Sequence, residues 1–166
     1  MNTKTGGVVF IHSAPAALRP HVEWAIGSCL GTPVRMSWAE QPAQPGQWRA
    51  ELTWRGRPDT SARLASLLNR FPDLRFEVTE DPTARSEGRR YSRTPELGLF
   101  SADAAANGDL MVREDRLRQA VTACQGRPDA LIGALADLLG QAWDDELEPY
   151  RQGAAIEATP WLRRVG

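Results

Sequence analysis

Two histidines, His12 and His21, stand in one stretch of the 166-residue chain, VVFIHSAPAALRPHVEWAIG (8–27), with Ser13 beside the first and Glu23 near the second. Hydroxyl, imidazole and carboxylate are the parts of a nucleophilic or general-base site, so their spacing is the first thing to test. Neighbours in an extended strand point to opposite faces, so Ser13 and His12 cannot hydrogen-bond to each other while a strand continues through them. No G-x-S-x-G elbow is present. His21 follows Pro20 in the first turn of a helical pattern, a surface position where a positive ring would oppose the helix dipole. Two histidines with scattered carboxylates make a poor metal inventory, and ANGDLMVRED (106–115) lacks the calcium-loop spacing. Gly6-Gly7 precedes a strand and opens no helix, so it is no phosphate loop. Neither a metal nor a cofactor is expected.

The elements that must position these groups follow from periodicity. GGVVFIHS (6–13) is apolar on both parities, as a strand covered on both faces would be. Pro20 suits the first turn of a helix carrying Val22, Ala25, Ile26, Cys29 and Leu30, which Gly31 ends. VRMSW (34–38) alternates as a short strand. WRAELTWR (48–55) is the clearest strand, with Trp48, Ala50, Leu52 and Trp54 on one side and Arg49, Glu51, Thr53 and Arg55 on the other. Asp59 or Thr60 is placed to cap a second helix with the stripe Leu64, Leu67, Leu68, Phe71. LRFEVTE (74–80) puts Leu74, Phe76 and Val78 inward and Arg75, Glu77 and Thr79 outward.

Strand, helix, strand, strand, helix, strand is the order of a ferredoxin-like βαββαβ unit, expected over residues 1–81. Residues 82–166 form a second half packed on it as one compact α+β body. A polar loop leads to strands RRYSRT (89–94) and LGLFSAD (97–103) joined at Thr94-Pro95, and Asn107-Gly108 signals a hairpin. A helix with Leu117, Ala120, Val121 and Cys124 follows, then one from Pro128 with Leu131, Ile132, Leu135, Leu138 and Leu139, ending at Gly140. The last segment carries Trp143 and Trp161 as apolar anchors among charges.

Both helices of the ferredoxin-like half shelter one face of the sheet, and the other face holds Arg35, Arg49, Glu51, Arg75 and Glu77. Either Val8, Phe10 and His12 or Val9, Ile11 and Ser13 complete it, and alternation alone does not choose. The C-terminal half, a second subunit in a homodimer, or a ligand would cover such a face. A polar site between the halves would draw on His12, Glu51, Glu77, Arg90 and Tyr91, the first three as the catalytic alternative. A binding surface would use Arg49, Arg75, Arg90 and Tyr91, with Trp24 and Trp143 as half-exposed aromatic anchors.

The formal charge is −1 and Lys4 is the one lysine, so the footprint of a nucleic-acid binder is missing. No apolar run reaches the length of a membrane span and no signal-peptide core occurs, so a cytoplasmic location is expected. Cys29 and Cys124 fall on helix stripes and read as two buried thiols.

HSAPAALRPHVEWAIG (12–27), QPAQPGQWRAE (41–51), RFEVTEDP (75–82), RYSRTPELGLF (90–100), ANGDLMVREDRLR (106–118) and WDDELEPYR (143–151) together closely resemble an actinobacterial domain-of-unknown-function family. The likeness spans nearly the whole chain. It implies a cytoplasmic actinobacterial protein and carries no catalytic residues to transfer. It also implies a link to fatty-acid synthesis, with whose genes some members are associated, and so to a small acyl ligand or an acyl-carrier protein partner. The expectation is a non-enzymatic binding or regulatory protein. The alternative is a small enzyme acting on an acyl or thioester substrate between the halves.

Overall fold

The computed structural model describes residues 4–157. Strand β1 (Thr5–Pro15), the longest of the sheet, is an interior strand that pairs with β3 (Gln47–Gly56) on one side and β4 (Arg75–Glu80) on the other. The chain continues from β1 through a 3-10 turn into α1 (Arg19–Leu30), then β2 (Ala39–Glu40) and β3; α2 (Thr60–Leu68) joins β3 to β4. After β4 come β5 (Gly88–Thr94), β6 (Gly98–Ala104), β7 (Leu110–Met111), and the helices α3 (Glu114–Ala123), α4 (Pro128–Leu139) and α5 (Gln141–Glu157). All seven strands form one antiparallel sheet in the order β2-β3-β1-β4-β5-β6-β7. The fold is therefore mixed α and β, with five α-helices among the described residues. None of those helices is long and apolar enough to cross a membrane.

The core lies between one sheet face and the helix pair α1 and α2. Val9, Ile11, Trp54, Phe76 and Val78 meet Val22, Ile26, Leu64 and Leu68 there. The register sets Val9 opposite Leu52 and Val78, so Val8, Phe10 and His12 face the other way. This settles the parity that alternation left open. Gly7 sits where a Cβ would come within 1.9 Å of the Thr79 carbonyl oxygen, so no larger residue fits the crossing of β1 and β4. Near its end β1 bulges. Ile11 pairs with Ala50 and Ala14 with Trp48, which leaves His12 and Ser13 together opposite Arg49.

Several expectations are corrected by the coordinates. Residues 34–38 are not a strand; β2 begins at Ala39. The alternation of half-buried Val34, buried Met36 and half-buried Trp38 is real, but the loop is pinned to α1 instead of a neighbouring strand. Glu23 accepts both the Met36 amide (2.9 Å) and the Trp38 indole N–H (3.0 Å). Neither Asp59 nor Thr60 caps α2 with its side chain. Asp59 adopts φ 68°, and the Glu80 carboxylate from β4 accepts the amides of Asp59 and Ser61, both at 2.9 Å. An anion at a helix N-terminus satisfies free donors and complements the dipole. Trp48 is half-buried under the Arg19 guanidinium, 4.1 Å from its ring centroid, and among the described residues only Trp54 is a full core tryptophan. Of the two thiols, Cys29 is buried and Cys124 only partly so.

The largest departure is α5. Leu147 is fully buried on it, and Trp143 tilts against Phe100 with ring centroids 5.2 Å apart while donating to the Gly98 carbonyl at 2.9 Å. These contacts with β6, and others with β5 and β1, lay α5 on the sheet face that α1 and α2 leave free. Trp161 lies outside the described residues.

Candidate functional site

Glu77 is the centre of the open face. It leaves β4 on the parity opposite to Phe76 and Val78, and its neighbours Phe10 on β1 and Ser92 on β5 share that face by register. The carboxylate is almost fully enclosed. Its Oε2 accepts the His12 ring Nε2 at 2.8 Å and Arg151 Nε at 2.9 Å. Its Oε1 accepts Arg90 Nη2 at 2.8 Å, Ser92 Oγ at 3.2 Å and Arg151 Nη2. Asp144 on α5 completes the ring, accepting Arg90 at 2.6 Å and Arg151 at 2.8 Å. Two guanidiniums thus share two carboxylates, one from the sheet and one from the helix above it.

Burial alone would push the Glu77 carboxyl up, but hydrogen bonds and charge from His12 and Arg151 outweigh it and hold the group far below the usual carboxylate range. Burial likewise opposes the Arg151 charge, and Glu77 and Asp144 more than restore it, raising that group further. An ionised Glu77 can only accept, so the His12 nitrogen facing it carries the hydrogen, and Nδ1 of a neutral ring keeps the lone pair. The Phe10 ring stacks beside His12 at 6.0 Å between centroids.

Beside this ion-pair ring opens a cavity of about 440 Å³. Phe10 and His12 from β1, Arg49 and Glu51 from β3, Thr79 from β4, and the Glu77–Arg90–Arg151 cluster line it. Its volume falls within the range of small-ligand pockets. Chemically, it offers an aromatic wall, an imidazole with one nitrogen oriented by a carboxylate, and a charged floor whose partners are already engaged with one another. Among the described residues, no group of three His, Cys, Asp or Glu side chains is placed to hold a metal ion.

The structure therefore gathers His12, Glu51, Glu77, Arg49 and Arg90 at one cavity. Tyr91 is not with them. It pairs with Val78 on the opposite parity and belongs to the core under the helices. Arg75 shares the face but lies farther along it, between Glu96 (3.1 Å), Glu146 (3.5 Å) and the Tyr150 ring (4.9 Å). Trp143 anchors α5, and Trp24 stands 75% exposed on α1, away from the cavity. His21 is exposed, as its place in the first helical turn suggests. Ser13 turns from His12 to donate to Gln44 Oε1 at 2.9 Å. Arg151 and Asp144 are the site residues that periodicity did not single out. With Leu147 they form a 144, 147, 151 stripe at helical spacing, a signal that Pro149 interrupts.

Residues 8–164 match the family model described as a protein of unknown function (DUF3145). The chain belongs to that family. The match takes in both the open-face carboxylate and the α5 arginine that completes its ion-pair ring, so the site lies wholly within the family's span. No curated protein and no solved structure matches the chain.

Proposed function

We infer that the protein is a non-enzymatic binding protein that holds a small acyl-bearing ligand in the open-face cavity. The observation that carries this reading is the pairing of an aromatic-walled cavity with polar groups that are saturated by one another. A general base needs a carboxylate able to take a proton, whereas Glu77 is held ionised by six neighbouring donor contacts and a depressed pKa. The cavity lining holds no serine or cysteine, and its one hydroxyl, on Thr79, accepts the Val8 amide at 3.0 Å. Phe10 and the aliphatic parts of Thr79 and Arg49 suit an alkyl chain, and the charged side chains of the lining suit its polar end.

The ferredoxin-like reading of the first half belongs to this proposal. It is supported by the sheet order β2-β3-β1-β4 and by α1 and α2 sharing one core. In such a frame the cavity is the sheet face that the two helices leave free.

The test is titration of the full chain with a medium-chain fatty acid and its coenzyme A thioester, followed by native mass spectrometry and calorimetry. Stoichiometric binding is expected, and Phe10→Ser should weaken it by about tenfold or more, since one aromatic wall contributes on the order of 2 kcal/mol. Absence of binding by both probes overturns the reading.

A second reading is favoured by one observation: His12 lines the cavity with a carboxylate 2.8 Å from Nε2. A thioester hydrolase using His12 Nδ1 as base toward water would release free thiol, and His12→Ala would abolish that release. Thiol release lost in this variant replaces the binding reading with the enzymatic one.

A further inference from the structure

We propose that the outer edge of β6 is a docking slot for a peptide of another protein, an extended segment without net charge that adds to the sheet as a further strand. The inference is independent of what the open-face cavity binds.

Strand pairing carries it. On one side β6 pairs with β5 over its whole length, Gly98 to Ala104. On the other, β7 covers only Asp103 and Ala104. The Ala105 amide donates to the Asp109 carbonyl at 2.8 Å, which fixes the residues whose backbone groups leave β6 on the β7 side. By the two-residue period these are Asp103, Ser101 and Leu99. Leu99 and Ser101 therefore direct their N–H and C=O groups away from β5, where no backbone group of the described residues answers them. Both residues are exposed. Natural sheet edges are guarded by charged side chains, proline or a bulge. The segment GLFSA (98–102) has no charge and no proline, and its pairing with β5 runs without a register shift.

A slot lies along this edge. It measures about 410 Å³, and its lining includes residues 99–103 of β6 in unbroken succession. Neighbours in a strand face opposite ways, so a cavity that touches all five reaches them from the edge. Met111 on β7, Arg116 on α3 and Leu138 on α4 line it as well. A bare strand edge beside helices is a setting for strand addition, in which main-chain bonds give affinity and pockets for alternate side chains give selectivity. The charges at the slot cancel. Arg89 pairs with Asp103 at 3.2 Å and Arg113 with Asp115 at 3.1 Å, while Arg116 and Asp137 add one of each sign. A strand without net charge fits such a lining, with apolar side chains against Phe100, Met111 and Leu138. A second copy of the chain fits poorly, because its β6 would bring β5 and its own helices into the space of one short strand.

Selection of a phage-displayed library of random octapeptides on the full chain tests the proposal. Enrichment of uncharged peptides rich in β-branched and aromatic residues is expected. In a synthetic copy of an enriched peptide, N-methylation at alternate residues should weaken binding by about tenfold each, and methylation at the residues between should change nothing. Only one set of its N–H groups would face β6. Ser101→Pro removes an outward N–H that β5 does not use, so this variant should keep the wild-type circular dichroism and bind about tenfold more weakly. No enriched peptide, enriched peptides of high net charge, indifference to N-methylation, or equal binding by a folded Ser101→Pro chain each overturn the proposal. So does a doubled mass in light scattering that Ser101→Pro halves, since a second copy would then cover the edge. The N-methyl series uses the wild-type chain and decides the matter without the proline variant.

Discussion

Glu77 shows how much one side chain can depend on its neighbours. Its two oxygens accept from His12, Arg90, Ser92 and Arg151, so replacing it leaves two guanidiniums that are mostly shielded from water with Asp144 as the one carboxylate between them. Glu77→Gln should therefore destabilise the fold by on the order of 3 kcal/mol in urea denaturation at neutral pH. The sign of the pH effect follows from the depressed carboxyl. Its contribution is complete above the unfolded carboxylate range and is lost as pH falls through the folded value. The wild type's advantage over the variant should thus persist through mild acid and vanish only in strong acid. At this scale the types of residue were legible, since Arg75, Glu77 and Thr79 alternate against Leu74, Phe76 and Val78. The partners were not, because Arg151 stands 74 positions away and meets Glu77 only through helix docking.

The element that makes the site is α5, and it was the hardest to see. Pro149 lacks the N–H that would bond to Asp145, and acidic side chains crowd the segment, so its period is masked. Leu147 fastens it. Leu147→Ala should cost on the order of 3 kcal/mol and make the α5 amides exchange faster, read by hydrogen-exchange mass spectrometry. A second fastening responds to pH. Burial and the nearby Glu96 push the Glu146 carboxyl up, against the pull of the Thr94 hydroxyl and Arg75. A carboxyl raised on folding contributes its stability below the unfolded value and loses it as pH rises through the folded one. Glu146→Gln should accordingly raise Tm at neutral pH, by about 0.5 kcal/mol in stability, with no gain near pH 4. The loop 34–38 teaches the converse lesson. Its burial alternates like a strand's while Glu23 takes the amide that a neighbouring strand would have taken.

Across the whole molecule, burial is concentrated in β1, β3, β4, α1 and α2 and thins toward α3 and α4. Amides of β1 and β4 should therefore be the last to exchange and those of α3 and α4 among the first, read by hydrogen-exchange mass spectrometry. By itself the sequence determined the local units. A side chain's face in a strand or helix depends only on its own spacing, so the strand at 48–55, the helix stripes and the Asn107-Gly108 turn could be read directly. Tertiary structure decided which parity of β1 meets the helices, which of Arg90 and Tyr91 turns to the cavity and which to the core, and that α5 closes one side of the cavity. Each of these depends on register and docking between segments far apart in the chain, and no local period encodes them.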